Sequence, residues 1–177
     1  MKNYLFLASI SMMFLISCER VSEFTKFNLI YDESVVIPSS AGVNLPFNLF
    51  TPDIESNAES QFAINDTRKD MIEEITLTTL NMTITSPSNG TFSFLKEMAI
   101  FLVADSLPEI EIASKYDIPN STGNVLELET TGEDIQEYIK KDQFSLRLHT
   151  VTDEMLSTEY HLDIHAVFYV DAKILGL

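Results

Sequence analysis

Residues 160–170, Tyr160-His161-Leu162-Asp163-Ile164-His165-Ala166-Val167-Phe168-Tyr169-Val170, decide the fold class. Tyr160, Leu162, Ile164, Ala166, Phe168 and Val170 share one parity, while His161, Asp163 and His165 take the other. A period of two is the mark of a half-buried strand, because successive side chains leave a pleated backbone on opposite faces.

The same period runs upstream. Phe144, Leu146 and Leu148 alternate with Ser145, Arg147 and His149, and Val43, Leu45, Phe47 and Leu49 alternate with Asn44 and Asn48. From Met98 to Ala104 both parities are apolar, as a strand with neighbours on either side requires. Between Ile75 and Thr85 the apolar parity begins with Ile75 and Leu77, then switches to Leu80, Met82 and Ile84. A one-residue β-bulge near Thr78 and Thr79 restores the inward face. Pro87-Ser88-Asn89-Gly90 supplies turn chemistry, with Asn and Gly suited to positive φ.

Two short helices are expected, over Asp66 to Glu74 and over Asp134 to Lys141, the second with an acidic start and Ile135, Tyr138 and Ile139 at helical spacing. Neither is long enough to cover a sheet as βα repeats do. Pro38, Pro46, Pro52, Pro108 and Pro119 mark edges and turns, and no internal repeat interrupts the pattern. Eight or nine short strands therefore predict an all-β fold, an antiparallel β-sandwich with Greek-key, immunoglobulin-like connections. A closed barrel is the alternative.

The first 18 residues read differently. Lys2 gives a positive start, Tyr4 to Ile16 is apolar, and small Ser17 precedes Cys18. That run is shorter than the ~20 residues of a spanning helix and has secretory-signal architecture. The segment Leu15-Ile16-Ser17-Cys18 closely resembles the lipobox of bacterial lipoproteins. The resemblance implies cleavage between Ser17 and Cys18, a diacylglyceryl thioether on Cys18 and acylation of the new amino terminus. Two or more acyl chains make a stable anchor where one holds only reversibly.

The organisation that follows is a signal peptide over 1–17, a lipid-anchored tether over 18–23 and one sandwich domain over 24–177. Glu19 stands where an Asp is associated with inner-membrane retention, so the expected address is the outer membrane of the cell envelope. Glu19 and Glu23 also resemble, loosely, the surface-export signals of Bacteroidota lipoproteins.

Charge excludes one class of partner. The formal charge is −16, with 11 Lys and Arg scattered among 27 Asp and Glu. Nucleic-acid binding needs clustered cations that displace counterions, and no such stripe exists. Anionic lipid headgroups are repelled for the same reason, so membrane contact must be covalent. The one Cys has no intrachain disulfide partner.

Motifs for catalysis are weak. His161-Asp163-His165 holds the ligand types of a two-His, one-carboxylate metal site. On a strand, however, the two His lie about 13 Å apart, too far to share a zinc with ligand bonds near ~2 Å. Ser93 and Lys96 match the S-x-x-K pattern of penicillin-recognising enzymes, yet S-D-N and K-T-G are missing. The pairs Glu109 with Glu111 and Glu127 with Glu129 suit calcium by chemistry, but no EF-hand loop accompanies them, and alternating Glu and aliphatics reads as a solvated sheet face. There is no Trp for a sugar platform; Tyr31, Tyr116 and Tyr169 are the tyrosines expected at the surface.

The expectation is a non-enzymatic envelope protein with a structural, adhesion or accessory binding role. It carries no cofactor and no metal, meets the membrane through Cys18, and contacts a protein partner in the envelope. A small-ligand or glycan-binding lipoprotein is the alternative, and a hydrolase ranks below it.

Overall fold

In a computed structural model, residues 26–39 and 44–173 are described. The expected signal peptide and tether, with Cys18, and also Val43, lie outside the described residues. The strands are β1 (Lys26–Ile37), β2 (Pro46–Phe50), β3 (Ile54–Glu55), β4 (Ile72–Ser86), β5 (Leu95–Val103), β6 (Ile110–Lys115), β7 (Val125–Glu127), β8 (Glu129–Thr130), β9 (Gln143–Thr152) and β10 (Tyr160–Ala172). Among the described residues two α-helices, α1 (Ala58–Ile64) and α2 (Gln136–Ile139), sit in the connections.

Pairing is antiparallel throughout, and it is nested: β1 pairs with β10, β2 with β9, β4 with β7 and β5 with β6. One sheet has the order β1-β10-β4-β7, and the other runs β2-β9-β5-β6-β8, with β3 also on β9. This is the strand order of a jelly roll, a long antiparallel ribbon wrapped over itself to make two facing sheets. The sandwich and its Greek-key connections agree with the sequence pattern. The order within the sheets is distinct from the immunoglobulin one, because here the first strand pairs with the last.

The core lies between the sheets. Leu162, Ile164, Ala166, Phe168 and Val170 of β10 are buried, as are Phe144, Leu146 and Leu148 of β9. In β9 and β10 the parities read from the sequence are the inward ones, since one face of each strand must leave water; in β2 Phe47 and Leu49 are half-buried, whereas Leu45, expected on the same face, precedes the strand and is exposed. β5 lies between β9 and β6, and its second apolar parity, Ala99, Phe101 and Val103, is the outer one, where the Arg147 guanidinium lies over Phe101.

β4 holds its inward face only by absorbing extra residues. Its register against β10 shifts three times, leaving Glu73, Thr78 and Thr85 as the inserted residues. The middle bulge is the one anticipated from the sequence. At two of these shifts a threonine hydroxyl bonds the partner strand: Thr78 Oγ1 donates to the Val167 carbonyl at 3.0 Å, and Thr85 Oγ1 to the His161 carbonyl at 3.2 Å. Such bonds give a carbonyl at a broken ladder position a partner.

The helix expected over Asp66 to Glu74 does not form. Asp66 has φ 53, Lys69–Met71 is one turn of 3-10 helix, and β4 begins at Ile72. Buried Ile72 and Ile75 are three apart because Glu73 is a bulge, and that spacing imitates a helix face. The last strand competes for the segment and wins: Ala172 pairs with Ile72, and Lys173 N–H donates to the Met71 carbonyl at 2.8 Å.

The helix of this region is α1, just upstream, which buries Ala58 and Phe62 at a spacing of four. By contrast α2 falls inside the expected Asp134 to Lys141 stretch, with Ile135, Tyr138 and Ile139 buried. Asp134 supports it, because Oδ1 accepts from the N–H groups of Gln136 and Ile75, each at 3.1 Å.

The turn after β4 uses its glycine for space. Gly90 N–H donates to the Pro87 carbonyl at 2.8 Å, and neither Asn89 nor Gly90 is among the positive-φ residues. A Cβ on Gly90 would stand 2.8 Å from Ile84 Cγ2 and 3.0 Å from Tyr160 Cε1. Gly90→Ala should therefore lower stability by about 1–3 kcal/mol through overpacking. Urea unfolding measures this, and an unchanged midpoint would mean that the turn moves freely away from Tyr160.

Candidate functional site

β1 forms one edge of its sheet, and β3, which pairs only with β9, lies on an edge of the other. Between them is a cavity of about 590 Å³, lined by six consecutive residues of β1, Asn28 to Glu33, and by the 53–57 segment with Gln61 opposite. Side chains of consecutive strand residues leave on opposite faces, so a wall of consecutive residues presents the strand's edge. The groove therefore faces main chain as well as side chains.

Tyr31 ties the two walls together. Its hydroxyl donates to the Ser56 carbonyl at 2.6 Å, and Ser56 Oγ donates to the Lys141 carbonyl at 2.6 Å. The ring meets Phe144 and Phe168 edge-on, with centroids 5.2 and 5.6 Å away. Burial pushes the Tyr31 phenol up to about 12. Of the tyrosines expected at the surface, Tyr116 is exposed, Tyr169 is half-buried and Tyr31 is half-buried as this tie.

Four carboxylates, Asp32, Glu33, Asp53 and Glu55, line the groove with no Lys or Arg among its residues. Asp32 Oδ1 lies 2.6 Å from His165 Nδ1, and Glu55 accepts from the Gln143 side-chain amide. Among the described residues, Glu33 and Asp53 have no ion-pair partner. Burial, and then the charge of Asp32, raises the Glu33 carboxyl above its ordinary value. Its folded-state value exceeds its unfolded one, so stability at this position falls as pH rises through that window.

The other sequence candidates scatter. His161 pairs with Glu159 at 3.1 Å and His165 with Asp32, and both lie on the outer face of β10. Among the described residues no group of three or more His, Cys, Asp or Glu is placed to hold a metal ion. Ser93 lies in a single 3-10 turn, Phe92–Phe94, and exposed Lys96 in β5, so the helix an S-x-x-K pair needs is missing there. Glu109 bonds Arg147, Glu129 bonds Lys115 at 3.0 Å, and Glu111 and Glu127 stand on separate sheets.

No local pattern announced the cluster around Arg147. Its guanidinium lies 4.1 Å from the Phe101 ring centroid, donates through Nε and Nη2 to Glu109 Oε2 at 2.8 and 2.6 Å, and through Nη1 to Asn48 at 2.9 Å. Carboxylate, amide and ring thus hold it in place as a staple across the outer face of β2, β9 and β5. Phe101 and Arg147 are directly opposed in the ladder, a relation only strand register reveals.

These features define an acidic jelly-roll sandwich with an open edge groove. No family and no curated protein matches the sequence. Among solved structures the chain is similar to a protein of the cyanophage Pam1 capsid asymmetric unit, at 7% identity and TM-score 0.42, over 82% of this chain and 86% of that one. It is also similar to the decameric BFDV capsid protein, at 9% identity and TM-score 0.36, over 82% and 98% respectively. A third likeness is to infectious bursal disease virus, Gt strain, at 9% identity and TM-score 0.38, over 82% of this chain and 32% of that one. Likeness at this level carries no statement about what the chain does.

Proposed function

We propose that this is a lipid-anchored envelope protein whose acidic sandwich has a non-enzymatic structural, adhesion or accessory binding role. The observation that carries the proposal is Leu15-Ile16-Ser17-Cys18 at the end of a short apolar run begun by Lys2. An anchor must be covalent for so negative a chain, since anionic headgroups repel it. Among the described residues no helix is long and apolar enough to cross a membrane. The binding half of the proposal is supported by the groove between β1 and β3, lined by Asp32, Glu33, Asp53 and Glu55 with no Lys or Arg.

The outer membrane is the proposed address, from Glu19 beside the anchored residue. In a bacterium that processes lipoproteins, Cys18→Ala should move the protein from the membrane to the soluble envelope fraction with its melting transition unchanged. Mass spectrometry of the wild-type amino-terminal peptide should show acyl chains on Cys18. An unmodified thiol, or unchanged membrane partition of the variant, would refute the anchor. A melting shift with a glycan or small metabolite would instead favour the ligand-binding alternative.

A further inference from the structure

We propose that the open edge of β1 is a docking site for an extended, basic segment of a partner protein, which adds as a strand beside β1 and fills the groove toward β3. This deepens the accessory-binding reading and rests on it.

The main-chain case comes first. β1 is a 12-residue strand in unbroken register with β10, and among the described residues β10 is its only strand partner. Among the described residues, no main-chain bond reaches 27–37 from outside that ladder. Every second N–H and C=O along the strand thus points away from β10, ready to pair with an incoming strand. Long edges are normally guarded by a bulge, a proline or a lysine. Lys26 begins β1 and Pro38 follows it; between them there is no Lys and no Pro, the β1–β10 ladder has no bulge, and the charges that guard the edge are Asp32 and Glu33, which repel an acidic strand and admit a basic one. Ile30 and Val36 stand on its outer face, 58% and 40% exposed.

Charge then selects the occupant. The only charged residues between Phe27 and Ile37 are Asp32 and Glu33, and the opposite wall adds Asp53 and Glu55. Glu33 and Asp53, without ion-pair partners of their own, are the groups an incoming cation would meet. A second copy of this chain would bring Asp32 and Glu33 against the same acids, so self-pairing is disfavoured. Asp32 and Glu33 leave β1 on opposite faces and Ile30 shares the face of Asp32, so a segment with two adjacent Lys or Arg residues flanked by aliphatic residues fits both acids and Ile30. Six residues of β1 face the groove, a length of about 20 Å, which sets the core of the motif at five to seven residues.

The test uses the full chain in detergent micelles and a fluorescent, end-blocked decapeptide with a central Lys-Lys pair flanked by Val and Thr. Anisotropy should show saturable binding, and hydrogen exchange should slow on binding within 26–37. The same peptide with every backbone nitrogen methylated keeps its charge but has no strand donor on either edge; it should bind at least tenfold more weakly. The paired change Asp32→Asn with Glu33→Gln should weaken the unmodified peptide at least tenfold, with the melting transition retained.

Equal binding of the methylated peptide would show bare charge attraction and overturn the proposal. So would no binding, or slowed exchange elsewhere. Amides of 27–37 already slow in the peptide-free chain would show the edge occupied by another part of the chain or, if concentration-dependent, by a second copy; either outcome overturns it too. The assay reads the same whether or not Cys18 carries lipid, so a failed anchor and a failed edge site give separate results.

Discussion

Phe168→Ala should lower the unfolding free energy by about 3–5 kcal/mol, a large share of the ~5–15 kcal/mol that holds a typical domain together. Phe168 is fully buried on β10, which is flanked by β1 on one side and β4 on the other. Its ring contacts Tyr31 edge-on and sits opposite Leu77, beside the Thr78 bulge. Two strands and a bulge fix the backbone around it, so the cavity cannot collapse, and the lost transfer energy adds to the energy of the void. Urea unfolding should show a lower midpoint at unchanged slope. Phe168→Leu, which keeps most of the volume, should lose less. A loss below about 1 kcal/mol for the alanine variant would contradict the placement of β10 at the centre of its sheet.

The second large effect is alkaline. Burial raises Tyr31 from 10.0 to about 12, so the folded chain keeps this proton over a range in which the unfolded chain has released it. Stability is therefore full below about pH 10 and falls as pH rises toward about 12, by about 2 kcal/mol. Tyr31→Phe should cost about 1 kcal/mol at neutral pH, from the lost hydrogen bond to the Ser56 carbonyl. It should also remove this part of the alkaline decline. Lysines and other tyrosines titrate in the same range, so the readout is the difference between wild type and variant across pH 9.5–12. Parallel curves would show that the Tyr31 hydroxyl reaches water and does not tie β1 to the segment after β3.

These effects meet at one place. Phe168 supports the ring of Tyr31 from below, and Tyr31 closes the floor of the groove between β1 and β3. Variants of either residue therefore also probe the edge site, through the position of β1.

Much of the fold was legible because alternation is local. A strand with one dry face shows it in a few residues, as Tyr160 to Val170 and Phe144 to Leu148 do. The bulge at Thr78 was legible for the same reason, because it flips parity within a run too long to be two strands. The bulge at Glu73 was not: Ile72 and Ile75 alone satisfy a helix as well as a bulged strand, and the pairing of Ala172 with Ile72 settles the matter from a hundred residues away. α1 was missed because it buries only Ala58 and Phe62, and two residues make no period.

The candidate site was less legible still. Asp32, Glu33, Asp53 and Glu55 are ordinary surface acids in the sequence, and what groups them is the approach of two sheet edges. By itself the sequence determined the strand character, most of the inward parities and the sign of the surface, all properties of neighbouring residues. Only the tertiary structure decided the nested jelly-roll order and the edge that is left open. Strand order depends on which distant segments exchange hydrogen bonds, and the main-chain groups that make those bonds are the same at every residue but proline.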